Sequence, residues 1–290
     1  MKEMFAALLK DQSPEPHERE KSPAERKVIM GILRCLPEFI RAYGGRPIDG
    51  LSETTIHLVD EVAVSGKRGE SFLEDDVAGR YDFARQRVIV LPDMDSLLTT
   101  AHRVIHELLH MESFLSFSAE AEAIPHQPAK TNLHPRRIGL SVFNHAQTKR
   151  FFRDLDEATV EELTARFDSR YLANIPELAA ELRRRAEFCG QVKGAFRNEI
   201  ASVASEKLPD GRWKTTAQSW RYGAARRRLQ DLVAKLYAAN RERFTSEEEV
   251  FDLFAKAVFK GTLLDLGQLI EKTLGKGAFR ELGEQTMLAA

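Results

Sequence analysis

Residues 97–111, "LLTTAHRVIHELLHM", constrain the fold of this chain more than any other stretch. Leu97, Leu98, Ala101, Val104, Ile105, Leu108 and Leu109 recur at helical spacing and define one apolar side. The segment before them, "RYDFARQRVIVLP", reads as a strand or a hairpin ending at Pro92, and Asp93, Asp95 or Ser96 can cap the helix. A β-segment thus leads directly into a helix that carries His106, Glu107 and His110. Side chains four residues apart project from one helix face, so both imidazoles can reach a single ion. Glu107 lies beside them, where a carboxylate can accept a proton from water activated by that ion. The alternative is a helix whose histidines line a polar face or are satisfied within the core. His102, one turn earlier, reads as a polar-face residue rather than a support for the site.

A catalytic zinc has three protein ligands and one open position. One arrangement takes a third histidine six residues after His110, with a glycine three residues after it. Here those positions hold Ser116 and Ser113, which excludes it. "FFRDLDEATVEELTARF" (151–167) is the better source. Glu157 and Glu161 stand four apart on a second predicted helix, with Leu155, Ala158 and Leu163 available for packing. Glu157 is the expected third ligand. Glu161, one turn on, is expected to accept a hydrogen bond from a ligating imidazole and fix its orientation. Spacing leaves another option open: Asp154 and Glu157 have N-cap to N3 separation, so Glu157 can close a capping box and Glu161 can be a solvated charge.

With "VIHELLHM" (104–111) and "LDEATVEEL" (155–163), the chain resembles the zincin metallopeptidases, and more closely the thermolysin-type gluzincins. In those proteins a helix-borne glutamate follows Asn, and a later acidic residue supports a histidine. The resemblance implies His106, His110 and Glu157 as zinc ligands, Glu107 as catalytic base and Glu161 at the supporting position. Asp156 stands where that family has Asn, 46 residues separate His110 from Glu157, and Glu112 replaces an apolar residue. The resemblance further implies an edge strand above the active-site helix, for which "RQRVIVLP" (85–92) is the candidate. It also implies an oxyanion donor, to be sought among His134, Arg137, His145 and Tyr171. The expected activity is peptide-bond hydrolysis through a metal-activated water, with one Zn2+ per chain and Glu107 as general base. Two readings stand beside it: a zinc hydrolase of a non-peptide amide or ester, and a catalytically inactive zincin-like regulatory or binding protein.

The expected fold class is α+β and predominantly helical, a zincin-like core with a small sheet and active-site helix followed by a helical C-terminal region. Residues 1–21 are polar and expected to be flexible. Residues 22–167 form the expected core, opened by a helix with Ser22 as N-cap, Pro23 at N1 and Glu25 at N3. "TTIHLVDEVAV" (54–64) reads as a strand, and 115–148, with three prolines, mainly as a loop. From Asp154 the pattern is helical almost to the end, with a break near "LPDG" (208–211), so 168–290 is expected to be helical and to pack on the core. There Arg226, Arg227 and Arg228 read as a solvated helix face, and Ser246 with Glu249 as a capping box.

The near-cancelling totals, Lys+Arg 43 against Asp+Glu 44, give no argument for nucleic acid or an anionic membrane. No apolar run has the length of a spanning helix, and no signal peptide is evident. The two cysteines, Cys35 and Cys189, fit reduced buried thiols. A cytoplasmic protein acting on a peptide or protein substrate is the resulting expectation.

Overall fold

A computed structural model describes residues 13–60, 78–122, 130–207 and 212–284. In chain order the elements are helix α1 (Pro23–Ala42), strands β1 (Ile56–Leu58), β2 (Gly79–Asp82) and β3 (Arg87–Val90), and helix α2 (Leu97–Met111). Strands β4 (Leu115–Glu122), β5 (Lys130–Ile138), β6 (Ser141–Phe143) and β7 (Arg150–Phe151) follow, then helices α3 (Arg153–Tyr171) and α4 (Ala179–Gln191). The chain continues through β8 (Ile200–Lys207), β9 (Trp213–Ser219), α5 (Gly223–Ala239), α6 (Glu247–Lys260), α7 (Leu263–Leu274) and α8 (Ala278–Glu284). Helix predominates over three small sheets among the described residues, an α+β arrangement. No described helix is long and apolar enough to cross a membrane. The described chain divides into two compact units.

The first unit takes residues up to Phe39, Pro47–Met111 and Leu163–Arg221. Helix α1 starts as its sequence predicts: the Ser22 N–H donates to the Glu25 carboxylate at 2.8 Å and the Glu25 N–H to Ser22 Oγ at 3.2 Å. Its Phe39 meets Phe167 edge to face at 5.2 Å, which joins α1 to the second half of α3. The sheet has the order β1–β3–β2, with β1 parallel and β2 antiparallel to β3. Of the two readings of residues 80–92, the hairpin is the one formed. β1 is shorter than the expected 54–64: Glu53–Thr55 is a 3-10 turn, and 61–64 lie outside the described residues. Strand β3 is fully buried: Val88, Ile89 and Val90 supply apolar side chains, and the buried Arg87 is paired with Glu15.

The β8–β9 hairpin interrupts the helical pattern expected after Asp154. Val203, Ile200 and Cys189 form its buried contact with α4. Ala201, Ser202, Ala204 and Ser205 make up half of "IASVASEK", and such small residues do not announce a strand by hydropathy. The "LPDG" break falls at the connection of this hairpin, outside the described residues.

The second unit takes Ile40–Arg46, Glu112–Glu162 and residues from Tyr222 on. Residues 115–148, expected mainly as a loop, instead form most of an antiparallel sheet in the order β4–β5–β6–β7. The alternation in "LSFSAEAE" is a period-2 signal, masked by the prolines nearby. Pro135 is accommodated at a bulge, where the register with β4 shifts between Ser116 and Phe117. Pro125 and Pro128 lie outside the described residues. Helices α5 to α8 pack together on a core that includes Leu236, Val250, Phe254, Val258, Leu266 and Ile270. Ser246 caps α6 as expected, accepting the Glu249 N–H at 3.4 Å, while the Glu249 carboxylate takes the Thr245 N–H at 2.6 Å. Arg226 is not on a solvated face: its Nε donates to Glu162 at 2.6 Å, with Gln230 on the same carboxylate.

Candidate metal centre

Helix α2 is held at its start and along its side. The Glu181 carboxylate, from α4, accepts the N–H groups of Leu97 and Leu98 at 2.9 and 3.2 Å and the Ser96 hydroxyl at 2.7 Å. A carboxylate there satisfies orphan amides and complements the positive end of the helix dipole. Ser96 is the cap among the three candidates, since its Oγ accepts the Thr99 N–H at 3.0 Å. Further along, Arg103 donates to the Leu91 carbonyl at 2.7 Å, tying the helix to the end of β3.

His102 is buried, a correction to its expected place on a polar face. Its Nε2 lies 2.7 Å from Asp168, and its ring packs on Trp220 at 4.7 Å. Asp168 also pairs with both guanidinium nitrogens of Arg185, which donates as well to the Ala201 carbonyl at 2.9 Å. Burial alone would raise the Asp168 carboxyl, but the hydrogen bonds from Arg185 and His102 outweigh it and hold the group well below the usual range. The cluster fixes α2 one turn before His106.

At the centre, His106 and His110 turn Nε2 toward Nε2 at 3.2 Å, with rings crossed at 72°. A ligand atom of Glu157 joins them, so that three atoms, one from each residue, lie within 4.8 Å of one another. All three residues are buried. Two imidazole nitrogens at ~2.0–2.1 Å from one tetrahedral zinc stand about 3.3 Å apart, close to the separation seen. Two imidazoles and a carboxylate are also the donor types zinc takes in hydrolytic sites. The three residues could therefore hold a metal ion, and they are the ones their spacing nominated.

No protein-family profile, curated protein or solved structure matches the chain.

Glu157 owes its position to its neighbour. Asp156 is fully buried, and its carboxylate accepts the Leu140 N–H and the Ser141 hydroxyl, each at 2.8 Å. This seats α3 on the β5–β6 turn, where Gly139 has φ +56° and no room for a side chain against Asp156. Asp154 lies inside α3, which begins at Arg153, so the N-cap role that would have turned Glu157 to a capping box is not taken. Glu161 is buried rather than solvated, and its Oε1 accepts the Tyr222 N–H at 3.4 Å.

Glu107 is buried against Gly79: a Cβ added at that glycine would stand 3.0 Å from its Cγ and 3.1 Å from Oε1. The strand expected at the sheet edge is not at one. β3, within residues 85–92, is central and paired on both sides, whereas among the described residues β2 lies at the sheet edge and begins beside Glu107.

The four residues expected to supply an oxyanion donor are placed as follows. Arg137 spends Nε, Nη1 and Nη2 on the carbonyls of Gly139, Gly261 and Ala257 at 2.7–2.8 Å, and burial lowers it to about 10 against the smaller opposing effect of Asp156. Tyr171 donates to Glu38 at 3.1 Å. His145 is exposed beside the β6–β7 turn, and His134 pairs with Ser118 in the sheet. Sequence reasoning passed over Arg150, whose Nη2 stands 3.6 Å from Glu157 Oε1.

Proposed function

We propose that the chain is a zinc-dependent metallopeptidase of the zincin type, with the gluzincin-like ligand set His106, His110 and Glu157. The observation that carries the reading is the meeting of a glutamate with two histidines 47 and 51 positions before it, their ligand atoms within 4.8 Å and buried. A zinc ion held there would polarise a carbonyl and acidify water. Glu107 takes the proton of the attacking water as its oxygen adds to the carbonyl carbon. The same carboxyl group then delivers that proton to the amine nitrogen as the C–N bond breaks. Glu161, one turn beyond Glu157, is the carboxylate assigned to orient a ligating imidazole.

The position of β2 at the sheet edge among the described residues supports a peptide rather than another amide or ester. An extended substrate can pair with its main chain, and Gly79 sets the start of that edge against Glu107. The test is Glu107→Gln, assayed on a peptide library beside zinc analysis. The reading expects about one zinc per chain in both proteins and cleavage only by the wild type. Cleavage that survives in Glu107→Gln would remove Glu107 from the chemistry.

A further inference from the structure

The guanidinium of Arg150 differs in its hydrogen bonding from two other half-buried arginines, Arg137 and Arg185. Arg137 is saturated by three main-chain carbonyls, and Arg185 by Asp168 and the Ala201 carbonyl. Arg150, on β7 three residues before α3, makes one hydrogen bond among the described residues, a long one of 3.4 Å to Asp156. Asp156 needs little from it, being already bound at 2.8 Å by both Leu140 and Ser141. Nε of Arg150 is buried without a hydrogen-bond partner among the described residues. Phe143 covers one face of the group at 5.7 Å, and the side chain keeps 29% of its surface exposed. Nη2 stands 3.6 Å from Glu157 Oε1, one carboxylate away from the ligand atoms.

A positive charge beside a metal-ligating carboxylate opposes cation binding, so packing alone gives a poor reason for it. An arginine with donors to spare is suited to a planar or tetrahedral anion arriving at the site. We propose that Arg150 is the catalytic residue that stabilises the negative charge developing on the carbonyl oxygen as water adds to the peptide bond. The assignment rests on the metallopeptidase reading above. No bond to Arg150 forms or breaks; its N–H groups donate to the oxygen while the charge is present and release it as the carbonyl re-forms.

The test compares wild type, Arg150→Lys and Arg150→Met in three measurements: zinc content, kcat and KM on a peptide the wild type cleaves, and inorganic phosphate binding to the cobalt-loaded protein, read by visible absorption. Arg150→Met should keep its metal, lose about 10²–10³-fold in kcat with KM little changed, and bind phosphate about tenfold more weakly. Arg150→Lys should recover part of both losses, since it restores the charge without the fork. The proposal is overturned if Arg150→Met keeps kcat and phosphate affinity within about twofold of wild type. It is equally overturned if zinc content falls in step with kcat, the mark of a residue that only braces Glu157. A wild type that takes up no cobalt refutes the metallopeptidase reading itself, before any variant is compared. Where cobalt binds but no peptide is cleaved, the phosphate titration decides alone.

Discussion

Substituting Gly79 with alanine probes the position of Glu107 without touching a charge or a metal ligand. Gly79 does not have a positive φ, so alanine introduces no backbone strain there. Its Cβ would stand 3.0 Å from Glu107 Cγ, 3.1 Å from Oε1 and 3.3 Å from the Ile89 carbonyl oxygen. Ordinary contact begins at 3.4 Å, and the Ile89 carbonyl is fixed within the β2–β3 ladder, so Glu107 has to yield. The carboxylate moves by roughly 0.4 Å. A misplacement of ~1 Å costs on the order of 10²-fold in rate, so kcat should fall about five- to twentyfold. Stability should hardly change, because alanine in an unstrained position gains about 0.4–1 kcal/mol through the unfolded chain and offsets the tight contact. The assay is kcat on a peptide the wild type cleaves, with zinc content and a thermal melt beside it. Gly190→Ala, at a site with open space around the Cβ, is the control. An unchanged kcat in Gly79→Ala would mean that the Glu107 position is not what limits the reaction.

Two further predictions concern the support of α2. Asp168→Asn should destabilise the protein by about 3–5 kcal/mol near neutral pH, because Arg185 is left without its charged partner. The wild-type carboxyl is held below its unfolded value of about 3.9, so its contribution is complete above that pH and is lost as pH falls further. Urea midpoints of the two proteins should therefore converge below about pH 4, and a constant difference down to pH 2 would refute the assignment. Glu181→Gln keeps the shape but removes the charge at the α2 N-terminus, and should cost about 1–2 kcal/mol in urea denaturation with zinc content unchanged.

What the sequence disclosed follows from how local each signal is. The 97–111 helix was legible because its apolar spacing and its histidine pair lie within one element. Glu157 was legible as a candidate because it too sits on a periodic helix, but the spacing could not choose between ligand and cap. That choice falls to Asp156, whose bonds to Leu140 and Ser141 are long-range and leave no trace in periodicity. The β4–β7 sheet went unread because prolines that normally end strands are here absorbed by a bulge at Pro135 or fall outside the described strands. His102 looked polar because a single histidine gives no hint of an aspartate 66 residues on. Arg150 was invisible for the same reason, since its proximity to Glu157 depends on β7 turning directly into α3.

Zinc titration of chelator-stripped protein tests the central claim most directly. The account predicts about one tight site per chain in the wild type, with His106→Ala, His110→Ala and Glu157→Ala each weakening it by roughly 100-fold or more. A wild type that binds no zinc, or a Glu157→Ala variant that binds it as tightly as wild type, would contradict the account.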